Sequence, residues 1–162
     1  MRELREAAPG AWPAEPRPRH ILVWYAETAQ GRAALQHAQS LAVAAAARLT
    51  VLAVVTRKRT DIGCARCRQS ATIGNHEMEE IAHEALLAAA GALGRSASVA
   101  YETAVGSEAE AIATAADRGH ADLIVLPWRR HRRLVSRRKP SLDERLRGSG
   151  SWQVVIAGRG RS

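Results

Sequence analysis

Five short runs constrain the fold more than anything else in this chain: HILVWYA (20–26), LTVLAVVT (49–56), SVAYETAV (98–105), ADLIVLP (121–127) and WQVVIAG (152–158). They are brief, bounded and rich in β-branched residues, as buried strands are. Helical patterns alternate with them. GRAALQHAQSLAVAAAAR (31–48) is Ala-rich and sets Leu35, Ala38, Leu41, Ala42 and Ala45 on one face. A second helix is expected from about Asn75, an N-cap residue followed by Glu77, Glu79 and Glu80, with Met78, Ile81, Ala85, Leu86, Ala89 and Leu93 as its apolar stripe and Gly94 as its stop. Ser107 with Glu110, and Ser141 with Glu144, read as capping boxes opening helices that end near Gly119 and Gly148. Strand and helix in strict alternation give a parallel sheet covered on both faces, a doubly wound α/β domain. Such sheets bind ligands outside the carboxyl ends of their strands.

Composition agrees with a single domain: 162 residues, 46% hydrophobic and 25% charged. Four of the six prolines fall in residues 1–19, which read as a flexible arm; the domain is expected over 20–158 and a basic tail over 159–162. No apolar run approaches the ~18 residues that a membrane span needs, and the first residues lack the apolar core of a signal peptide. With only Cys64 and Cys67, no disulfide framework exists, so the expected location is the cytoplasm.

The net charge of +8 is concentrated. Residues 128–147 hold nine Arg or Lys against Asp143 and Glu144, and WRRHRRLVSRRK (128–139) alone holds seven. This basic stretch follows the run at 121–127, at the end of a strand where ligands bind. It admits three readings: an anion site built from guanidinium groups, a solvated loop extended by its own charge, and an electrostatic contact to nucleic acid. Aromatic residues make up 4% of the chain and only Trp128 adjoins the stretch, so stacking on bases has little to use and nucleic acid is the least favoured.

From His20 to Gly158 the blocks ILVWYAETAQGRAALQHAQSLAVAAAARLTVLAVV, ETAVGSEAEAIATAADRGHADLIVLPWRR and SLDERLRGSGSWQVVIAG resemble the universal stress protein family. The resemblance implies a five-stranded parallel sheet of order 3-2-1-4-5 with helices on both faces. It also implies a homodimer joined along the last strand, Trp152 to Ala157 here, and a role in stress physiology. The basic loop and SLDERL further resemble the universal-stress-like input module of bacterial potassium-sensing kinases. Many family members bind ATP through a Gly-x2-Gly-x9-Gly-Ser/Thr pattern after the fourth strand, with an Asp at the end of the first.

Laid on this sequence, that pattern falls on Pro127, Arg130, Pro140 and Ser141, and the Asp position falls on Ala26, followed by Glu27 and Thr28. Glycines let backbone N–H groups reach phosphate without an intervening Cβ, and proline has no N–H to offer. The expectation is a binding or regulatory module that does not hold ATP in the family's manner. Its candidate crevice comprises Ala26, Glu27, Thr28, Pro127, Arg129, Arg130, Arg132, Arg133, Pro140 and Ser141, open to an anionic small molecule. No cofactor is expected; the alternative is a nucleotide such as ATP, with weak hydrolysis supported by the arginines. Arg57, Lys58, Arg59, Arg66 and Arg68, after the second strand, are expected to add positive potential to the same rim.

Cys64-Ala-Arg-Cys67 admits redox, metal and ordinary-thiol readings. Zinc would need two further ligands, and His76 and His83 lie seven residues, about 10.5 Å, apart on a helix. With the helix starting near Asn75, neither cysteine stands at a helix N-terminus, where a reactive thiol is favoured. No Ser/His/Asp constellation and no nucleophile elbow is visible, so nothing marks a catalyst.

Overall fold

The computed structural model describes residues 17–94, 98–129 and 140–157. Its elements run β1 (His20–Trp24), α1 (Ala29–Ala45), β2 (Arg48–Val55), α2 (Ala65–Leu93), β3 (Val99–Val105), α3 (Glu108–Gly119), β4 (Leu123–Pro127), α4 (Leu142–Arg147) and β5 (Gln153–Ala157). All strands pair in parallel, in the order β3-β2-β1-β4-β5, which is the expected sheet. β1 is central because its five residues are all buried. Alternation along the strands then builds two cores. Ile21, Val23, Leu49, Val51, Leu123 and Val125 face α1 and α2, whereas Leu22, Trp24, Leu52, Ile124 and Leu126 face α3 and α4. Each such side chain, fully buried, stabilises the fold by about 1.5–3 kcal/mol, which is why two-faced apolar runs settle in the middle of the sheet.

Two expectations fail. The second helix starts at Ala65, ten residues before Asn75, and is capped by Cys64. Thr72, Ile73 and Gly74 look like a break in sequence, but Gly in a helix costs only about 1 kcal/mol and the long helix anchors itself elsewhere. Asn75 is part of that anchoring: its side chain accepts from Lys58 N at 2.7 Å and donates to Lys58 O at 2.9 Å, tying the middle of α2 to the loop after β2. Its buried face consists of Ala71, Ala82, Ala85, Leu86 and Ala89, so Met78 and Ile81 of the expected stripe are exposed. At Ser107 the expected capping box is incomplete: the hydroxyl donates to Glu110 Oε2 at 2.7 Å and makes no bond to the helix backbone. At Ser141 both halves of the box form.

At the amino ends of the strands, a polar group lies under the sheet. The His20 ring is 6% exposed, with Nδ1 2.7 Å from Gly119 O and Nε2 2.8 Å from Thr50 Oγ1. Asp122 accepts from the backbone N–H groups of Arg19 and His20 at 2.7 and 3.0 Å. These bonds lock β1, β2 and β4 together at one end. Of the arm expected over 1–19, only residues 17–19 are described, and the tail at 159–162 lies outside the described residues.

Candidate functional site

The strand order reverses direction at β1, so the crevice characteristic of such sheets lies between the carboxyl ends of β1 and β4. β1 continues through Tyr25, whose N–H donates to Leu52 O at 2.8 Å, and the chain then turns at Ala26-Glu27-Thr28 into α1. Thr28 caps that helix: its hydroxyl accepts from Gly31 N at 2.9 Å. Gly31 was not singled out in the sequence, yet the turn depends on it. A Cβ there would sit 1.9 Å from the Ala26 carbonyl oxygen. Close approach of backbone to helix is the reason for the glycine.

Glu27, at this turn, is already occupied. Its carboxylate accepts from the Tyr25 hydroxyl and pairs with Arg32. The hydrogen bond from Tyr25, followed by that from Arg32, holds the Glu27 carboxyl below its ordinary range. Tyr25 moves the other way, to about 12, because it is buried and its neutral form donates to Glu27.

On the β4 side, two backbone positions at the end of the strand offer no free donor. Pro127 ends the strand in register with Ala157 and has no N–H, and the next N–H, of Trp128, donates to Ala157 O at 2.9 Å. Arg129 is clamped: its two terminal nitrogens reach the Glu108 carboxylate at 2.8 and 3.0 Å, and its guanidinium carbon lies 4.4 Å from the centre of the Trp24 ring. Glu108 and Trp24 were not expected in the site, and only the fold brings them to Arg129. Arg130, Arg132 and Arg133 lie outside the described residues.

Ser141 is spent on its own helix. Its N–H donates to Glu144 Oε2 at 2.8 Å, its hydroxyl donates to Asp143 Oδ1 at 2.6 Å, and the same oxygen accepts from Glu144 N at 3.4 Å. The hydroxyl bond is the main cause of an Asp143 carboxyl held below its usual value. Two carboxylates therefore stand at the first turn of this short helix. Pro140, exposed, precedes it.

In the second basic group, Arg57 pairs with Glu79 and Arg59 with Asp61 at 2.7 Å, whereas Arg68 donates to the neutral Gly63 carbonyl at 2.7 Å and keeps its charge. Lys58 and Arg66 line a shallow depression on α2 with Gln69, Ser70, Ile73 and Glu77. Among the described residues, no three His, Cys, Asp or Glu side chains gather as a metal site, and no helix is long and apolar enough to cross a membrane. His37 and His83 are exposed on their helices, and His120 serves a turn, closing α3 with φ of 52°.

Residues 18–157 match the profile of the universal stress protein family. The chain belongs to that family. Solved structures agree on the fold. The universal stress protein UspA from Lactobacillus plantarum superposes with a TM-score of 0.72 at 18% identity, covering 89% of this chain and 100% of that one. A universal stress protein from Archaeoglobus fulgidus gives a TM-score of 0.56 at 17% identity, covering 86% and 93%. A universal stress protein in complex with cAMP gives 0.55 at 18%, covering 89% and 99%. No curated protein matches the sequence.

Proposed function

We propose that this member of the universal stress protein family is a cytoplasmic binding and regulatory module of the stress response whose crevice does not cradle ATP by the family's glycine pattern. The observation that carries the reading is the end of β4. Pro127 has no N–H and the Trp128 N–H is bound to Ala157, so these two positions offer no backbone donor to a phosphate, which supports the reading. Ala26 supplies no carboxylate for an adenosine, and Asp143 and Glu144 flank Ser141. The ligand this reading assigns is an anionic small molecule held by Arg130, Arg132 and Arg133 of the basic loop. That a related structure holds cAMP supports a nucleotide monophosphate as the first class to try.

Calorimetry with inorganic phosphate, AMP, cAMP and ATP, on the natural chain and on a variant with Arg130, Arg132 and Arg133 all changed to Ala, tests it. Heat from one of these anions that needs no magnesium and vanishes in the variant is expected. Absence of heat from all of them removes the anion ligand.

The same reading includes a homodimer through the edge strand β5. Val154, Val155 and Ile156 are only half-buried there, and the parity of the strand turns the Ile156 N–H and carbonyl away from β4. Ile156→Asp is expected to weaken dimerisation at least about tenfold, about 1.4 kcal/mol, in sedimentation equilibrium while leaving the circular dichroism of the fold intact. An unchanged association constant would exclude this edge.

A further inference from the structure

The start of α2 carries chemistry that the family's crevice does not use. Cys64 is the N-cap of a 29-residue helix and Cys67 lies one turn on, so both thiols stand on the same face of the first turn. Their sulfurs are 2.8 Å apart, and Cys64 Sγ also accepts from the Cys67 backbone N–H at 3.3 Å. Both residues are exposed. The loop is shaped to bring them together. Gly63 takes φ of +91°, a conformation L side chains rarely adopt, and a Cβ on it would come within 3.1 Å of Cys67 Cβ. Arg68 donates to Gly63 O at 2.7 Å and its N–H bonds Cys64 O at 3.0 Å, which holds the turn closed from the helix side.

We propose that Cys64 and Cys67 are a reversible dithiol–disulfide couple, with Cys64 as the attacking thiol, Cys67 as the resolving thiol and a small-molecule disulfide as oxidant. Cys64 is assigned the attack because a thiolate at the N-cap gains a hydrogen bond from Cys67 N and the field of the helix terminus. Its acidity is raised accordingly, first by the Cys67 side chain and then by the backbone donor. The Cys64 thiol gives its proton to solvent and the thiolate attacks one sulfur of the oxidant. The S–S bond of the oxidant breaks, one of its halves leaves as a thiolate that takes up a proton, and a mixed disulfide remains on Cys64. Cys67 then loses its proton, attacks Cys64 Sγ and expels the second half as a thiol. Two protein thiols have lost two electrons and two protons, and the oxidant has become two thiols. The site is built for ring closure within one chain rather than for linkage between chains, because the resolving sulfur is already in contact with the attacking one.

The test is to equilibrate the full chain in oxidised and reduced glutathione, quench with an alkylating agent and read intact masses. The natural chain is expected to lose two hydrogens as the buffer becomes oxidising, with no retained adduct and no cross-linked dimer, and to recover them in reduced glutathione. Cys67→Ser is expected to accumulate a glutathione adduct on Cys64, and Cys64→Ser to form its adduct at least about tenfold more slowly. Equal rates for the two single variants overturn the assignment of roles. A natural chain that stays a dithiol in oxidised glutathione, or that forms only intermolecular disulfides, overturns the couple.

Discussion

The two ends of this sheet use polar groups in opposite ways. At the amino ends of the strands, His20, Thr50 and the Gly119 carbonyl share a buried network, and Asp122 binds two backbone N–H groups. A polar group removed from water there costs about 1–3 kcal/mol if a partner is lost, so the network acts as a lock. At the carboxyl ends, Glu27, Arg129, Asp143 and Glu144 are engaged too, but near the surface, where each exposed ion pair contributes little. Those contacts engage groups that border the crevice, and in the proposed reading they stand against a nucleotide phosphate there. Polar satisfaction therefore stabilises one end of the sheet, and at the other it is proposed to disfavour the family's binding mode.

The largest loss of stability is expected at His20. His20→Ala leaves Thr50 and the Gly119 carbonyl without their buried partner and empties the ring's volume, so urea denaturation should show a loss of about 3 kcal/mol with no change in ligand response. A loss below about 1 kcal/mol would make the two ends alike. Gly31→Ala is the strongest test at the carboxyl end. Its Cβ meets the Ala26 carbonyl oxygen at 1.9 Å, and the backbone shift this forces should cost about 2 kcal/mol in the same assay.

Ser141→Ala removes the helix cap and should cost about 1 kcal/mol near neutral pH. It also has a signature in acid. The folded-state Asp143 carboxyl is depressed chiefly by the Ser141 hydroxyl, so its contribution is present above the ordinary aspartate value and fades as pH falls through the lower folded value. In the variant this acid-limb slope of stability against pH should shrink.

Tyr25→Phe has the smallest effect at neutral pH, about 0.5 kcal/mol, because the bond it removes lies on a half-open turn. Its effect belongs to alkaline solution. The folded Tyr25 titrates at about 12 against about 10 unfolded, so the folded state holds the proton longer and stability falls as pH rises between those values. Phe at this position should flatten that fall, and denaturation melts from pH 9 to 12 would show whether it does.

The covered parallel sheet was legible because two-faced apolar runs such as ILVW and LIVL suit strands buried on both faces. Family resemblance supplied the order 3-2-1-4-5, and the sheet has it. The start of α2 was not legible: Gly74 and its β-branched neighbours look like a break, and nothing local reveals that Asn75 would bind the loop after β2 instead of capping a helix. That single misplacement also hid the N-cap position of Cys64. The family resemblance singled out Pro127 and Ser141, whereas the bonds made at Trp128 and Ser141 rest on contacts that sequence does not show. Glu108 is nineteen residues before Pro127 in the chain, and Trp24 is far from both; only the packing of α3 and β1 brings them to Arg129.

We propose that this crevice does not hold ATP by the family's glycine pattern, and equilibrium dialysis of ATP against the full chain, with and without magnesium, decides the matter. No magnesium-dependent retention of ATP is expected; saturable binding at micromolar ATP that requires magnesium would overturn the proposal.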